Sequence, residues 1–214
     1  AGHNLAQARR DISASRRSGG GAMKRALAVL VLVLSANVAL ADALTDIDAA
    51  QSAARAQDFV EAIRLYTSAL ATPNISRFNQ SLAHDGRGSA YYQEGRWDLA
   101  ISDYSTALQL QPDCGRCFNN RGLAYDQKGQ LDKAIADFNQ AVSLEPGEFD
   151  GYFNRGNAFY GKTDYEHAVA DYTAAISIKA DCGVCYHNRG VAYQELGQLD
   201  KANEDLNTAD QMKN

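Results

Sequence analysis

The chain has 214 residues, with 21 Lys and Arg against 26 Asp and Glu for a net charge of −5. The first 41 residues hold six basic side chains and one acidic, so residues 42–214 carry 15 basic and 25 acidic groups, a net charge of −10. That balance excludes a grip on nucleic acid, which needs a basic footprint, while 45% hydrophobic residues and only three prolines exclude wholly disordered and Pro-rich classes.

Residues 1–22 precede Met23, show no apolar period and end Gly-rich; they read as an upstream segment outside the mature protein. Residues 23–41 read as an export signal. Lys24 and Arg25 form a basic start, Ala26 to Leu34 is an unbroken apolar run, and Ala39 and Ala41 are the small residues of a cleavage site before Asp42. The run is far short of the ~20 residues a membrane span needs. The expectation is an exported chain, periplasmic or secreted, with no membrane span once the signal is removed.

From residue 81 onward a 34-residue period organises the chain. Gly88, Gly122, Gly156 and Gly190 keep this spacing, as do Ala100, Ala134, Ala168 and Ala202, and Ala107, Ala141, Ala175 and Ala209. Tyr104, Phe138, Tyr172 and Leu206 keep step with them, and so do Tyr91, Tyr125, Phe159 and Tyr193. Each unit holds two amphipathic segments. In one of them, 132–144 places Ala134, Ile135, Phe138, Ala141 and Val142 on one helical face; Gly129-Gln130 breaks the pair and Pro146-Gly147 stops it. A hairpin of this kind cannot bury both of its faces, so neighbouring hairpins must stack.

An earlier unit sits at about 43–76. Its second helix supplies Ala62, Tyr66 and Ala69, while Ala50 and Ala53 stand where Gly and Tyr occur later. Ala62 to Ala100 is 38, so four residues are inserted, falling in 72–78 as a longer turn or an extra helical turn. At the other end, Asn203 and Asp210 replace apolar residues of the inner units, which reads as a polar end to the stack.

These in-phase glycines, alanines and aromatics resemble the tetratricopeptide repeat family, over about residues 43–214. The resemblance implies an all-α, right-handed α-solenoid of about five helix–turn–helix repeats, near 43–76, 81–114, 115–148, 149–182 and 183–214 within a domain at 42–214. It also implies that the residue two before the repeated glycine faces a concave groove. Those residues are Asn120, Asn154 and Asn188, and an amide offers one acceptor and two donors to a peptide backbone. A local helix-start role is the other reading of these asparagines. Asn119, Asn157, Asp126, Tyr160 and Gln194 flank them. Where relatives that clamp a terminal carboxylate carry Lys or Arg, this chain has Asp85, Phe153 and His187, which argues against that mode.

Arg87, Arg121, Arg155 and Arg189 are each followed 16 residues later by Asp103, Asp137, Asp171 and Asp205. One acid for every base reads as structural ion pairs, because unpaired half-buried charges are expensive. Cys114-Gly-Arg-Cys117 and Cys182-Gly-Val-Cys185 lie two whole repeats apart, on the order of 20 Å for stacked helices. One zinc held by all four sulfurs is therefore implausible, and Phe118 and Tyr186 stand where haem attachment needs His. Two local disulfides suit an exported chain; dithiols, or exchange-active pairs at helix N-termini, are the alternatives. No P-loop, G-x-S-x-G or H-E-x-x-H motif is present. The expected function is a non-enzymatic protein- or peptide-binding scaffold with no cofactor and no metal. The alternative is a thiol–disulfide assembly factor for exported proteins.

Overall fold

The computed structural model describes residues 40–212. Residues 1–39, which carry the upstream segment and all but two residues of the expected signal, lie outside the described residues. The described part is ten helices with no strand. Helix α1 is described over 40–55. It is followed by α2 Phe59–Leu70, α3 Arg77–Gln93, α4 Trp97–Leu110, α5 Gly115–Gln127, α6 Leu131–Leu144, α7 Phe149–Gly161, α8 Tyr165–Ile178, α9 Gly183–Glu195 and α10 Leu199–Gln211. Among the described residues no helix is long and apolar enough to cross a membrane.

Successive helices pair into hairpins, and each hairpin packs on the next. Small residues decide how closely the paired helices approach. A Cβ on Gly122 would fall 2.6 Å from the Phe138 ring, and one on Gly88 or Gly156 would fall 2.9 Å from Tyr104 or Tyr172. Ala100, Ala134, Ala168 and Ala202 are fully buried beside these pairs. The tight turn inside each hairpin needs one residue with positive φ. Gly95, Gly129 and Gly197 supply it without penalty, at φ 71°, 68° and 70°. In the fourth hairpin the exposed, β-branched Thr163 takes this place at φ 61°, a strained conformation for such a residue.

The four-residue insertion becomes helix. Helix α3 has 17 residues where α5, α7 and α9 have 13, and Ser76 caps it by accepting from the Asn79 amide at 3.1 Å. The added turn lies at the N-terminal end of α3, so the downstream phase is untouched. The first hairpin packs Ala43, Ile47 and Ala50 of α1 against Ala62, Leu65, Tyr66 and Ala69 of α2, and this core continues to Ala83 and Ala90 of α3. At the last hairpin Asn203 and Asp210 are exposed, but so are Val184, Leu199 and Met212. That terminal surface is mixed rather than uniformly polar.

Curvature follows from which helices touch. The first helix of each hairpin approaches the first helix of the next: α3 meets α5, α5 meets α7, and α7 meets α9. Among the described residues no second helix comes within 8 Å (Cα to Cα) of the next second helix. The row whose members lie closer together is the inner wall of a bend. The stack is therefore concave along α3, α5, α7 and α9.

Candidate functional site

The inner wall is built on four repeated ion pairs. Arg121 donates from Nε and Nη2 to both oxygens of Asp137 at 2.7 and 2.8 Å, tying α5 to α6. Arg87–Asp103, Arg155–Asp171 and Arg189–Asp205 have the same two-pronged geometry within their own hairpins. All four aspartates are buried. Each arginine also reaches back to the preceding hairpin, where its Nη1 donates to Thr67, Ser105, Asn139 or Thr173 at 2.8–3.1 Å. One guanidinium thus fixes three helices, and Phe118, Tyr152 and Tyr186 lie within 5.4–5.6 Å of it in their repeats. Hydrogen bonding to the carboxylates raises the arginine pKa values further, against the effect of burial. Burial opposes the charge of Asp103, but hydrogen bonds from Arg87 and His84 outweigh it and hold that carboxyl below the usual range.

The asparagines at the groove positions link adjacent first helices. Asn120 Nδ2 donates to Asp85 Oδ1 at 3.2 Å, Asn154 Nδ2 to Asn119 Oδ1 at 3.0 Å, and Asn188 Nδ2 to Asn157 Oδ1 at 3.0 Å. One donor of each amide is therefore spent inside the wall. Asn120, Asn154 and Asn188 present what remains rather than a full set of free groups.

Two clefts open on this wall at equivalent places, two repeats apart. The first, about 110 Å³, lies between α3 and α5 and is lined by Ser89, Tyr92, Gln93, Tyr104, Asn120 and Leu123. The second, about 290 Å³, lies between α7 and α9 and is lined by Asn157, Tyr160, Tyr172, His187, Asn188 and Val191. Each has a tyrosine hydroxyl at its floor, Tyr104 donating to Ser89 at 3.2 Å and Tyr172 to Asn157 at 2.8 Å. At the intervening place Phe138 replaces the tyrosine, and Leu123 packs onto the cluster of Ala134, Phe138 and Ala158. Asp126 of α5 stands in register with Tyr92 and Tyr160. It is half-buried, and burial pushes its carboxyl up. Gln194, the next in that register, is exposed near the end of α9.

Asp85, which occupies a groove position where clamp-type relatives carry Lys or Arg, was not expected to take part in binding. It is buried, and Arg116 lies 2.9 Å from it with an exposed side chain. Burial raises the Asp85 carboxyl, and neither Arg116 nor the Asn120 donor reverses this. A folded-state pKa above the unfolded one means a contribution that is full below the unfolded value, about 3.9, and lost as pH rises through the folded value. Asp85→Asn keeps an acceptor for Asn120 and has no charge to bury. Thermal melts should show the variant gaining on the wild type as pH rises from below the ordinary carboxylate value through the raised folded one. A difference independent of pH would contradict the burial argument.

The cysteines form two bonds, Cys114–Cys117 and Cys182–Cys185. They also cap helices: Cys114 Sγ accepts from the Cys117 amide at the start of α5, and Cys182 Sγ from the Cys185 amide at the start of α9. Cys117 is 1% exposed and Cys185 is fully buried. Replacing Cys114 by Ser and Cys117 by Ala keeps the cap acceptor and opens a four-residue loop. Chemical denaturation should show a loss of about 2 kcal/mol on the chain-entropy account.

The description "tetratricopeptide repeat" matches this sequence over residues 47–113, 86–149 and 119–181, and again over 184–214. The chain belongs to the tetratricopeptide repeat family. Three solved structures share the fold. A crystal structure of MamA protein is 23% identical, with 80% of this chain and 92% of that one covered at a TM-score of 0.70. MamA from Desulfovibrio magneticus RS-1 is 16% identical, covering 80% and 95% at 0.72. YrrB, described as a TPR protein with an unusual peptide-binding site, is 22% identical, covering 80% and 86% at 0.66. No curated protein sequence matches.

Proposed function

We propose that this tetratricopeptide solenoid is a non-enzymatic scaffold that holds an extended peptide segment of a partner protein along α3, α5, α7 and α9. The observation that carries this reading is the cleft of Asn157, Tyr160, Tyr172, His187, Asn188 and Val191. It offers an apolar body with amide and hydroxyl groups at its floor, open on the concave side. Asn188 and Asn154 retain a carbonyl and a second N–H that suit a peptide backbone, and Tyr160 adds a broad apolar face. The peptide-binding description of YrrB is consistent with this use of the fold. Export is part of the proposal. It is supported by the basic, apolar and small-residue order of 23–41 and by two disulfides, which persist in oxidising compartments.

Thiol exchange is the weaker reading. An exchange-active pair presents an accessible sulfur to its client; Cys182 and Cys185 are both buried, and of the other pair Cys117 is buried and only Cys114 is partly exposed.

The test is capture of peptides selected from a random library on the full chain. Tyr160→Ala should weaken the selected peptides about tenfold or more, as loss of an aromatic anchor does, with the helical content retained and a lower melting temperature, since the ring also packs on Ala168 and Tyr172. Binding that survives Tyr160→Ala and Asn188→Ala together would remove the groove from the account.

A further inference from the structure

The inner wall is not uniform along its length, and its pattern repeats every two units rather than every one. Clefts with a tyrosine floor lie at α3/α5 and at α7/α9, whereas the α5/α7 place is filled by Leu123 and Phe138. The register that carries Tyr92 at the first cleft and Tyr160 at the second carries Asp126 midway. Asp126 bears on the ionisation of Tyr92, which its charge raises after burial has done so. Among the described residues the Asp126 carboxylate makes no hydrogen bond or ion pair, in contrast with the fully paired Asp103, Asp137, Asp171 and Asp205.

Between α5 and α7 a further cleft of about 380 Å³ is lined by Arg116, Asn119, Ala141, Glu145, Glu148, Asp150 and Gly151. Its one basic group, Arg116, is already paired with Asp85. That acidic cleft lies at the N-terminal ends of α5 and α7, whereas Asp126 lies near the C-terminal end of α5 and by itself gives the middle of the wall its negative charge. A cation brought there recovers the attraction that burial of Asp126 has left unsatisfied, and tyrosine faces on either side favour a cationic side chain.

Geometry sets the spacing of the occupant. Equivalent points two repeats apart are about 20 Å distant for helices packed at 8–10 Å. An extended chain advances about 3.3 Å per residue, so about six residues span the two clefts.

We infer that the groove's occupant is an extended segment with a lysine or arginine against Asp126, flanked about three residues away on each side by side chains that enter the two tyrosine-floored clefts. This rests on the groove reading proposed above and names the chemistry of what it holds. The larger cleft takes a bulky apolar or aromatic side chain; the smaller takes a short one.

The experiment uses the full chain and a random library of blocked nonapeptides as the probe. The expected result is enrichment of Lys or Arg at one position, with apolar residues about three places to either side. Asp126→Asn should weaken the best selected peptide about tenfold. Exchanging the peptide's basic residue for norleucine should weaken it equally, and the two changes together should add nothing, as for one shared contact. Peptides selected without a basic preference, yet weakened by Tyr160→Ala, would overturn this inference and leave the groove standing. Failure to select any peptide, or selection indifferent to Tyr160→Ala, would overturn both. Asp126 lies on the half-exposed surface, so circular dichroism of Asp126→Asn should match the wild type.

Discussion

Replacing Asp137 by alanine is expected to destabilise the protein by about 3 kcal/mol and to split its unfolding into two steps. The magnitude follows from leaving one member of a buried pair behind. Arg121 would keep its charge with a side chain only 20% exposed, and would lose both carboxylate bonds. The splitting follows from where Arg121 sits. Through Ser105 it ties the third hairpin to the second, and through Asp137 it ties α5 to α6. A solenoid is cooperative only while its interfaces are strong enough to couple neighbouring repeats. Urea unfolding followed by circular dichroism should become biphasic for Asp137→Ala. The double change Arg121→Met with Asp137→Leu removes both charges, and should recover most of the loss. A single unchanged transition for Asp137→Ala would mean that the pairs contribute nothing to coupling.

Phe138→Ala is expected to cost about 4 kcal/mol, within the range for deleting a buried aromatic ring. The ring is fully buried against Gly122, with Leu123 and Ala158 around it, and neither backbone can close over the void. A sharper version uses the alternation along the wall. Phe138→Tyr places a hydroxyl beside Leu123, where the equivalent tyrosines find Ser89 and Asn157. An unpartnered buried hydroxyl costs about 2 kcal/mol. Adding Leu123→Asn supplies the acceptor that Asn157 provides two helices away, and should restore about half of the loss. Chemical denaturation of the four proteins in this cycle measures the coupling directly. Absence of coupling would show that the clefts are not equivalent environments.

Much of this architecture was legible in the sequence because its determinants are pairs of residues held in one phase. Gly122 with Phe138, and Ala134 beside them, state a close helix approach without any coordinates. The 16-residue offset between Arg121 and Asp137 states the hairpin that joins them. The insertion near residue 75 was legible as a length, while its form depended on Ser76 capping an added turn of α3. Thr163 gave no sign of its left-handed backbone, since that conformation is imposed by the turn and not by the residue.

The site was less legible. Asn120, Asn154 and Asn188 face the wall as the repeat phase implies, but their donors go to Asp85, Asn119 and Asn157 on the preceding helix. A residue's partner on a neighbouring repeat depends on inter-repeat distance, which spacing alone does not give. The third contact of each arginine left a weak trace, because Ser105, Asn139 and Thr173 are small polar residues 34 apart. The two-repeat alternation was also present in Tyr104, Phe138 and Tyr172, where one ring lacks the hydroxyl. Its meaning emerged only once Ser89 and Asn157 were seen to receive those hydroxyls and Leu123 was seen not to.

The account rests on the inner wall being where a segment binds. Backbone amide chemical shifts of the full chain, followed as a library-selected nonapeptide is titrated in, test this most directly. The account predicts that the perturbed residues fall on α3, α5, α7 and α9 around Tyr92, Asp126, Tyr160 and Asn188, with the outer surfaces of α4, α6 and α8 silent. Perturbation concentrated on exposed positions of those outer helices, such as Ala136, with the Tyr160 and Asn188 signals unmoved, would contradict it.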